Sequence, residues 1–250
     1  MRDERLRVGI VGSRAAIPCV LALVRRLAAM VVRLDGVVVS GGAFGADRAA
    51  HVGALDARGR TWAILPCGAP HITNPTDEHF FPNLLERGGT IIRPFADGVP
   101  IRPGGFQRRN GVLVALSQIV VVAQASAKSG SMNSAHQAFK RKREIWVVPG
   151  PTSPEFEGSW KVIDEMGGVM LRSEKAFERR LRELVTPRPA LEGNELRVFE
   201  ALGSSAKHPD EIALETGLAT PAVTTALLTL ALGDVVVEGS AGLFQRKVLV

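Results

Sequence analysis

The 250-residue sequence contains no tyrosine, only two cysteines and only 5% aromatic residues. The cysteines lack CxxC spacing and lie in apolar surroundings, so we expect neither a disulfide framework nor a zinc site, and we interpret both as buried small side chains. The shortage of aromatic residues argues against a long base-stacking surface. No apolar run reaches 18 residues, and the N-terminus lacks the features of a signal peptide, so we expect a cytoplasmic protein without a membrane segment.

Charge is distributed unevenly along the chain, whose formal net charge is +6. Residues 1–189 contain 27 basic and 17 acidic side chains, whereas residues 190–250 contain 4 and 8. A polyanionic partner is therefore expected to bind the first 189 residues.

Apolar, strand-like runs alternate with segments of helical periodicity over the first two thirds of the sequence. The predicted strands are residues 6–11, 36–39, 61–65, 90–92, 119–122 and 144–148. This alternation predicts an α/β fold with a doubly wound, mostly parallel, Rossmann-like sheet that binds its ligand at the carboxyl ends of the strands.

The last quarter of the sequence has a different pattern. Residues 186–191 read as a linker, residues 192–202, 209–216 and 220–232 as three short helices, and residues 234–238 and 243–248 as a hairpin. We therefore predict a Rossmann-like domain at 1–185 and a winged-helix domain at 192–250. Its third helix contains no lysine or arginine, which favours a structural or protein-binding role over duplex recognition.

Three loops after predicted strands are rich in glycine and hydroxyl groups. We name them the GSR loop (12–14), the SGGAFG loop (40–45) and the KSGS loop (128–131). Glycines and backbone N–H groups at such turns suit phosphate binding. The candidate phosphate-binding residues are Gly12, Ser13 and Arg14; Ser40, Gly41, Gly42 and Gly45; and Lys128, Ser129, Gly130 and Ser131. No GxxxxG precedes Lys128, so the sequence does not support ATP hydrolysis through a Walker A loop.

The densest set of candidate binding groups is the FQRRN segment (106–110), which contains Phe106, Arg108, Arg109 and Asn110. An aromatic platform beside cationic groups is typical of single-strand binding. The alternative is that Phe106 belongs to the core and the two arginines pair with surface carboxylates. Likewise, the GSR loop alone is equally compatible with a tight turn that carries a surface arginine.

Asp47 and His51 are four residues apart on one predicted helix face. A metal site would need more ligands than this neighbourhood offers, so we favour a structural role for the pair.

With these loops in view, the chain resembles the DNA-processing protein A family (DprA, also called Smf). The matching segments, in the family's order, are VGIVGSR (8–14), SGGAFGADRAAH (40–51), AILPCG (63–68), PGGFQRRN with VLVALS (103–117), AKSGSMNSA (127–135) and VVPG (147–150). The resemblance implies an extended Rossmann-like fold that binds single-stranded DNA and promotes loading of a RecA-type recombinase. It also implies a homodimer, and it places backbone and base contacts at Arg14, Phe106, residues 108–110 and Lys128.

The sequence departs from the family pattern at four places. Phe44 and Ala46 make SGGAFGAD partly similar to the wider family of Rossmann-type nucleotide-binding sensors, where that loop meets a small nucleotide. Gly111 stands where another arginine commonly follows RRN, and Asn133-Ser134 replaces an apolar-Thr pair. Family members usually carry a helical domain before the GSR strand, and we expect that domain to be absent here.

The leading hypothesis is therefore a non-enzymatic protein that binds single-stranded DNA without a cofactor. The alternative, from another class, is a small-nucleotide sensor or nucleotide-cleaving enzyme on the same fold, with Glu155 or Glu157 as its carboxylate. A third hypothesis is a duplex-binding regulator that acts through the winged helix.

Overall fold

The computed structural model describes residues 5–71, 77–102, 104–185, 191–202, 206–233 and 235–246, and residues 186–190 of the predicted linker lie outside them. The chain divides into two compact units, Met1–Val185 and Thr186–Val250. Each unit has its own hydrophobic core.

The first unit alternates strands and helices throughout. Its elements are β1 (Arg7–Gly12), α1 (Pro18–Arg33), β2 (Val37–Ser40), α2 (Ala46–Asp56), β3 (Arg60–Ile64), α3 (Asp77–Glu86), β4 (Thr90–Ile92), α4 (Gly105–Leu116), β5 (Ile119–Ala123), α5 (Gly130–Lys140), β6 (Glu144–Val148), α6 (Glu157–Met166), β7 (Val169–Met170) and α7 (Glu174–Val185).

All the strand pairs of this unit are parallel, and their order across the sheet is β4-β3-β2-β1-β5-β6-β7. The order reverses between β1 and β5, which pair from Val8 with Ile119 to Gly12 with Ala123. The predicted doubly wound, Rossmann-like sheet is confirmed. In such a sheet, the carboxyl ends of the strands on either side of this reversal form a crevice that suits a ligand.

Helices cover both faces of the sheet. Helices α1, α2 and α7 pack on one face around Leu27, Ala50 and Phe177, and helices α4, α5 and α6 pack on the other around Leu113 and Ala135. All five residues of β5 are buried, as its continuous apolar run predicts.

One side chain in α1 differs from its predicted environment. Pro18 begins the helix. Val20, Val24 and Leu27 follow at helical spacing, and their side chains are buried on the face of the helix that packs against the sheet. Cys19, one position before Val20, is exposed, whereas Cys67 is buried. The interpretation of both cysteines as buried is therefore wrong for Cys19, because the first turn of α1 turns this residue away from the core.

The second unit contains three helices and a hairpin. Its elements are α8 (Gly193–Leu202), α9 (Pro209–Thr216), α10 (Thr220–Leu232), β8 (Val236–Glu238) and β9 (Phe244–Arg246). The strands β8 and β9 pair antiparallel, and Gly217, with φ +68°, ends α9. Asp234 and residues 247–248 of the predicted hairpin lie outside the described residues.

Within the described part of the chain, no single helix has the length and apolar character needed to cross a bilayer. Only α9 and α10 taken together pass such a test, and they are bent by 113° at the break between them.

The Asp47–His51 face of α2 is buried in the first unit. His51 Nδ1 lies 2.6 Å from Thr61 Oγ1, whose hydroxyl donates to the Val38 carbonyl oxygen at 2.9 Å. The Thr61 proton is therefore engaged, so Nδ1–H donates to Thr61 and Nε2 is left buried without a hydrogen-bond partner. Burial, together with the positive charges of Arg109 and Arg48, lowers the pKa of His51 to about 3.

The lowered pKa of His51 predicts acid destabilisation. Below pH 6.5 the unfolded chain binds a proton that the folded protein does not, so the free energy of unfolding falls as the pH drops from 6.5 towards 3. The slope from this group approaches about 1.4 kcal/mol per pH unit. Replacing His51 with glutamine, which has no titratable group, is expected to flatten the dependence measured by urea unfolding between pH 7.5 and 4.5. Parallel curves for the two proteins would contradict the assignment.

Candidate nucleic-acid interface

The candidate site lies at the carboxyl edge of the sheet, where the strand order reverses. The GSR loop follows β1, the SGGAFG loop follows β2, the KSGS loop leads from β5 into α5, and the FQRRN segment forms the first turns of α4. All four are separate in sequence, and the sheet topology brings their ends to one edge.

Two adjoining cavities open between these segments. The larger, of about 330 Å³, is lined by Val11, Gly12, Ser13, Arg14, Ala43, Asp47, Phe106, Arg109, Asn110, Ser129, Gly130, Ser131 and Ser134. The smaller, of about 160 Å³, is lined by Arg14, Gly41, Ala43, Phe44, Pro66, Phe106 and Arg109. Because Arg14 and Phe106 line both, cationic and aromatic groups meet where the cavities adjoin.

The GSR loop is held by its neighbours' backbone. Ser13 N donates to the Gln124 carbonyl oxygen at 2.8 Å, and Ala46 N donates to the Ser13 carbonyl oxygen at 3.1 Å. Gly45, with φ +85°, passes so close that a Cβ there would lie 2.4 Å from the Ser13 carbonyl oxygen. These contacts fix the loop while the side chain of Arg14 stays exposed.

Gln124 was not predicted as part of the site, yet it shapes the GSR loop. Its φ is +57°, and its Oε1 accepts a hydrogen bond from Ile17 N at 2.9 Å. The side chain is buried although it is polar. The signal in the sequence that could have identified it is an amide residue directly after an all-apolar strand, since a polar side chain in such buried surroundings needs hydrogen-bond partners.

Arg109 is the buried one among the predicted cationic binding residues, with 5% of its surface exposed. Its Nη1 donates to the Ile64 carbonyl oxygen at 3.2 Å. A Cβ at Gly41 would lie 1.5 Å from this Nη1 and 2.7 Å from Asp47 Oδ2. The absence of a side chain at Gly41 therefore leaves room for the guanidinium and the carboxylate to lie near each other.

Asp47 is buried beside Arg109. Loss of water raises the pKa of Asp47, and this effect outweighs the opposing influence of Arg109 and of backbone N–H groups at residues 43, 12 and 41. Burial also lowers the pKa of Arg109, partly offset by Asp47. The favoured structural role of Asp47 has a specific form here: it holds the SGGAFG loop and α4 together.

Phe106 is partly exposed and stands between two cations. The guanidinium carbon of Arg14 lies 6.0 Å from its ring centroid, and that of Arg109 lies 5.8 Å from it. Such distances allow cation–π attraction, which orients the ring. Phe106 lines both cavities. The exposed Arg108 lines neither, and its guanidinium carbon lies 5.3 Å from the ring centroid of Phe95.

Asn110 connects α4 to the beginning of α5. Its Nδ2 donates to the Gly130 carbonyl oxygen at 3.4 Å and to Asn133 Oδ1 at 3.3 Å. Asn133, one of the departures from the family pattern, is therefore a partner of the segment it faces. A Cβ at Gly111 would meet no atom closer than Arg141 Nη2, at 3.6 Å, which is an ordinary van der Waals distance. No close approach therefore requires glycine at this position.

The amino end of α5 opens on the larger cavity. Ser129, Gly130 and Ser131 all line it, and Ser129 Oγ lies 2.8 Å from Ser131 Oγ. The first N–H groups of an 11-residue helix have no partner within the helix and carry a partial positive charge. Lys128 is exposed beside them but does not line the cavity.

Five predicted residues do not line either cavity: Ser40, Gly42, Gly45, Arg108 and Lys128. Ser40 is fully buried, and its hydroxyl donates to the Ile10 carbonyl oxygen at 2.6 Å. Its single proton is used inside the protein, which is not compatible with the predicted donation to a phosphate. Gly42 and Gly45 act through their positive φ angles, which shape the loop.

The groups suggested by the other hypotheses lie elsewhere. Neither Glu155 nor Glu157, the candidate carboxylates of a nucleotide-cleaving enzyme, lines either cavity. Among the residues that the structure describes, no cluster of His, Cys, Asp and Glu is arranged to hold a metal ion.

Comparison with family models supports the resemblance seen in the sequence. The model described as DNA recombination-mediator protein A matches residues 2–180, and the model described as DprA winged helix domain matches residues 183–242. The second match confirms the predicted winged helix.

The chain is also similar to curated proteins. It is 34% identical over 220 residues to a DNA processing protein DprA of Mycobacterium tuberculosis, covering 84% of this chain and 56% of that protein. It is 30% identical over 173 residues to the DNA processing protein DprA of Bacillus subtilis, covering 69% and 58%. The chain thus spans little more than half the length of these relatives.

Solved structures show the same fold. DNA processing protein A of Helicobacter pylori, reported for its single-stranded DNA binding mode, aligns with a TM-score of 0.65 at 28% identity over 71% of this chain and 80% of that one. The DprA structure from Streptococcus pneumoniae aligns with a TM-score of 0.60 at 26% identity over 69% and 60%. A molybdenum cofactor binding protein from Rippkaea orientalis, with a TM-score of 0.52 at 18% identity, shares the fold alone.

The buried charge pair predicts a strong coupling. Replacing Arg109 with methionine keeps its apolar stem but leaves Asp47 buried without its cation, so we expect the free energy of unfolding to fall by about 1–3 kcal/mol. Adding Asp47→Asn removes the uncompensated charge, and the double variant should recover a large part of that loss. Urea unfolding at pH 7 of the wild type, both single variants and the double variant measures the coupling. Simple addition of the two single losses would show that the charges are not coupled.

Proposed function

The chain belongs to the DNA recombination-mediator protein A family, and on this premise we propose that it binds single-stranded DNA across the two cavities at the carboxyl edge of its sheet. The observation that carries the proposal is the convergence of the GSR loop, the FQRRN segment and the amino end of α5 on the larger cavity. Together they supply a cation, an aromatic ring and unpaired backbone donors.

The chemistry of these groups suits a phosphate chain with bases attached. Single-strand binding combines a cationic groove for the backbone with aromatic faces on which bases stack. Arg14 is exposed and can meet a phosphate, whereas Phe106 is held between two guanidinium groups. Arg109 supports the site from inside the protein, because its guanidinium group is buried and already faces Asp47.

The proposed role does not require a reaction at this site. Asp47 is the carboxylate that lines the larger cavity, and it already accepts backbone hydrogen bonds while facing Arg109. Those partners hold it in place and make it a poor candidate for proton transfer to a ligand. The protein would bind and hand on a strand in the cytoplasm without a cofactor.

Three further parts of the role follow from the family. We expect the bound strand to be incoming or repair DNA, the protein to act as a homodimer, and the strand to pass to a RecA-type recombinase. The α10 helix contains no lysine or arginine, so phosphate contacts with duplex DNA would be poorly supplied there. DNA binding is therefore assigned to the first unit.

Salt dependence is expected to identify Arg14 as a phosphate contact. Arg14→Ala should lower the slope of log affinity for oligo-thymidine against log salt by about 0.7, the contribution of one single-strand phosphate contact. Arg33→Ala is the matched control, because Arg33 is an exposed arginine in the last turn of α1, at the opposite edge of the sheet. Equal slopes for wild type and Arg14→Ala would contradict the assignment, as would an equal change in both variants.

Base stacking is expected to depend on Phe106. Phe106→Ala should weaken oligo-thymidine binding by about fivefold to a hundredfold, since one base–aromatic stack contributes roughly 1–3 kcal/mol, and Phe106→Trp should retain binding. Phe95→Ala is the control, because Phe95 is also partly exposed with an arginine over its ring but lines neither cavity. Fluorescence anisotropy with labelled oligonucleotides measures the affinities.

A site for a small nucleotide would give the opposite pattern. A ligand that binds only the folded state raises the unfolding temperature by mass action. A large thermal shift from one mononucleotide, with none from oligo-thymidine, would overturn the proposal of a DNA site.

A further inference from the structure

Phe44 is a large apolar side chain that the structure leaves open to water. It lies in the SGGAFG loop and is 63% exposed. Isolated exposed apolar residues are common on protein surfaces and by themselves mean little. Among the large apolar residues that are exposed in the described chain, however, Phe44 alone lines either of the two cavities at the carboxyl edge.

The loop holds Phe44 in a fixed position. On one side Gly42, with φ +73°, packs so closely that a Cβ would lie 2.8 Å from the Phe81 ring. On the other side Gly45, with φ +85°, lies against the backbone of the GSR loop. The residue is therefore anchored on both sides and is not at the tip of a loose loop.

The ring itself is also oriented. The guanidinium carbon of Arg48 lies 5.5 Å from the Phe44 ring centroid and 4.6 Å from that of Phe80. Arg48 pairs in turn with Asp77, whose side chain is fully buried. A cation held between two rings and a buried carboxylate has little freedom, so it presets the position of Phe44 before any ligand binds.

Phe44 and Phe106 wall the same cleft. Both line the smaller cavity, together with Pro66 and the two cations Arg14 and Arg109. Phe106 comes from the first turn of α4 and Phe44 from the loop before α2, so the cleft presents two separately supported aromatic side chains. A mononucleotide has one base to offer, whereas a strand offers a second base a short distance along its backbone.

We infer that Phe44 is a second base-stacking platform, which takes a base of the bound strand other than the one that stacks on Phe106. The inference rests on the proposed function, because it requires single-stranded DNA in these cavities. Arg14, between the two cavities, would then neutralise the backbone phosphate near the two bases. Two fixed platforms would hold the strand in register rather than let it slide along the basic edge.

Single substitutions test whether the Phe44 ring contributes to binding. Phe44→Ala is expected to weaken oligo-thymidine binding by about fivefold or more, the lower end for loss of one stack. Phe44→Trp should keep the affinity of the wild type, whereas Phe44→Leu should not restore it, because leucine has no aromatic face. Phe139→Ala is the control, since Phe139 is a phenylalanine of similar exposure, 52%, that lines neither cavity. Full affinity in Phe44→Leu, or equal losses in Phe44→Ala and Phe139→Ala, would overturn the inference.

Removal of single bases tests whether the two rings hold different bases. The probe is the shortest oligo-thymidine that binds with full affinity, with one abasic site introduced at each position in turn. At one position, loss of the base should weaken binding to the wild type but not to Phe44→Ala. At a different position, the same relation should hold for Phe106→Ala.

The two proposals fail in different ways. If no abasic position loses its effect in Phe44→Ala, or if the same position responds to both rings, the second platform is wrong although the DNA site stands. If the wild type does not bind oligo-thymidine, or if neither Arg14→Ala nor Phe106→Ala weakens binding, the proposed function itself is wrong.

Discussion

The burial of one guanidinium group is the constraint on which the candidate site depends. An isolated charge in the protein interior is strongly unfavourable, so Arg109 of α4 needs partners in fixed places. It donates to the carbonyl oxygen of Ile64 at the end of β3, and the nearby carboxylate of Asp47 in the first turn of α2 stabilises its charge electrostatically. The guanidinium and the Asp47 carboxylate both lie against Gly41, where no side chain could fit. One residue of α4 thus links α4 with β3 and α2.

That connection also positions the groups that face solvent. Phe106 lies one helical turn before Arg109, so the buried pair determines where its ring stands between the cavities. On the other wall, backbone contacts between the GSR and SGGAFG loops place Arg14 and Phe44 in the same way. Binding groups that are already oriented lose less conformational entropy when a ligand arrives, which favours affinity for a flexible strand.

The regular parts of the fold follow from local pattern, and the missed parts have physical reasons. The apolar run of β5 predicts this strand to within one residue at its end. Strand β7 has only two residues, too few for any period, and α6 begins directly after a segment rich in proline and glycine that reads as a loop. Cys19 was misplaced because a helix's first turn can face either way until its packing is known.

The class of the fold, the order of the loops and the chemical groups that each loop carries could be read from the sequence, because they depend on residue type and on spacing within one segment. The sequence could not distinguish Arg108 from Arg109. These neighbours differ by about 100° around a helix, and only the partner Asp47, 62 positions earlier, makes one of them a buried support and leaves the other outside. Only the tertiary structure shows that the Ser40 hydroxyl donates to the Ile10 carbonyl oxygen inside the protein and that Phe44 lines the smaller cavity. Both outcomes depend on contacts between segments that are far apart in the chain, which local sequence patterns do not encode.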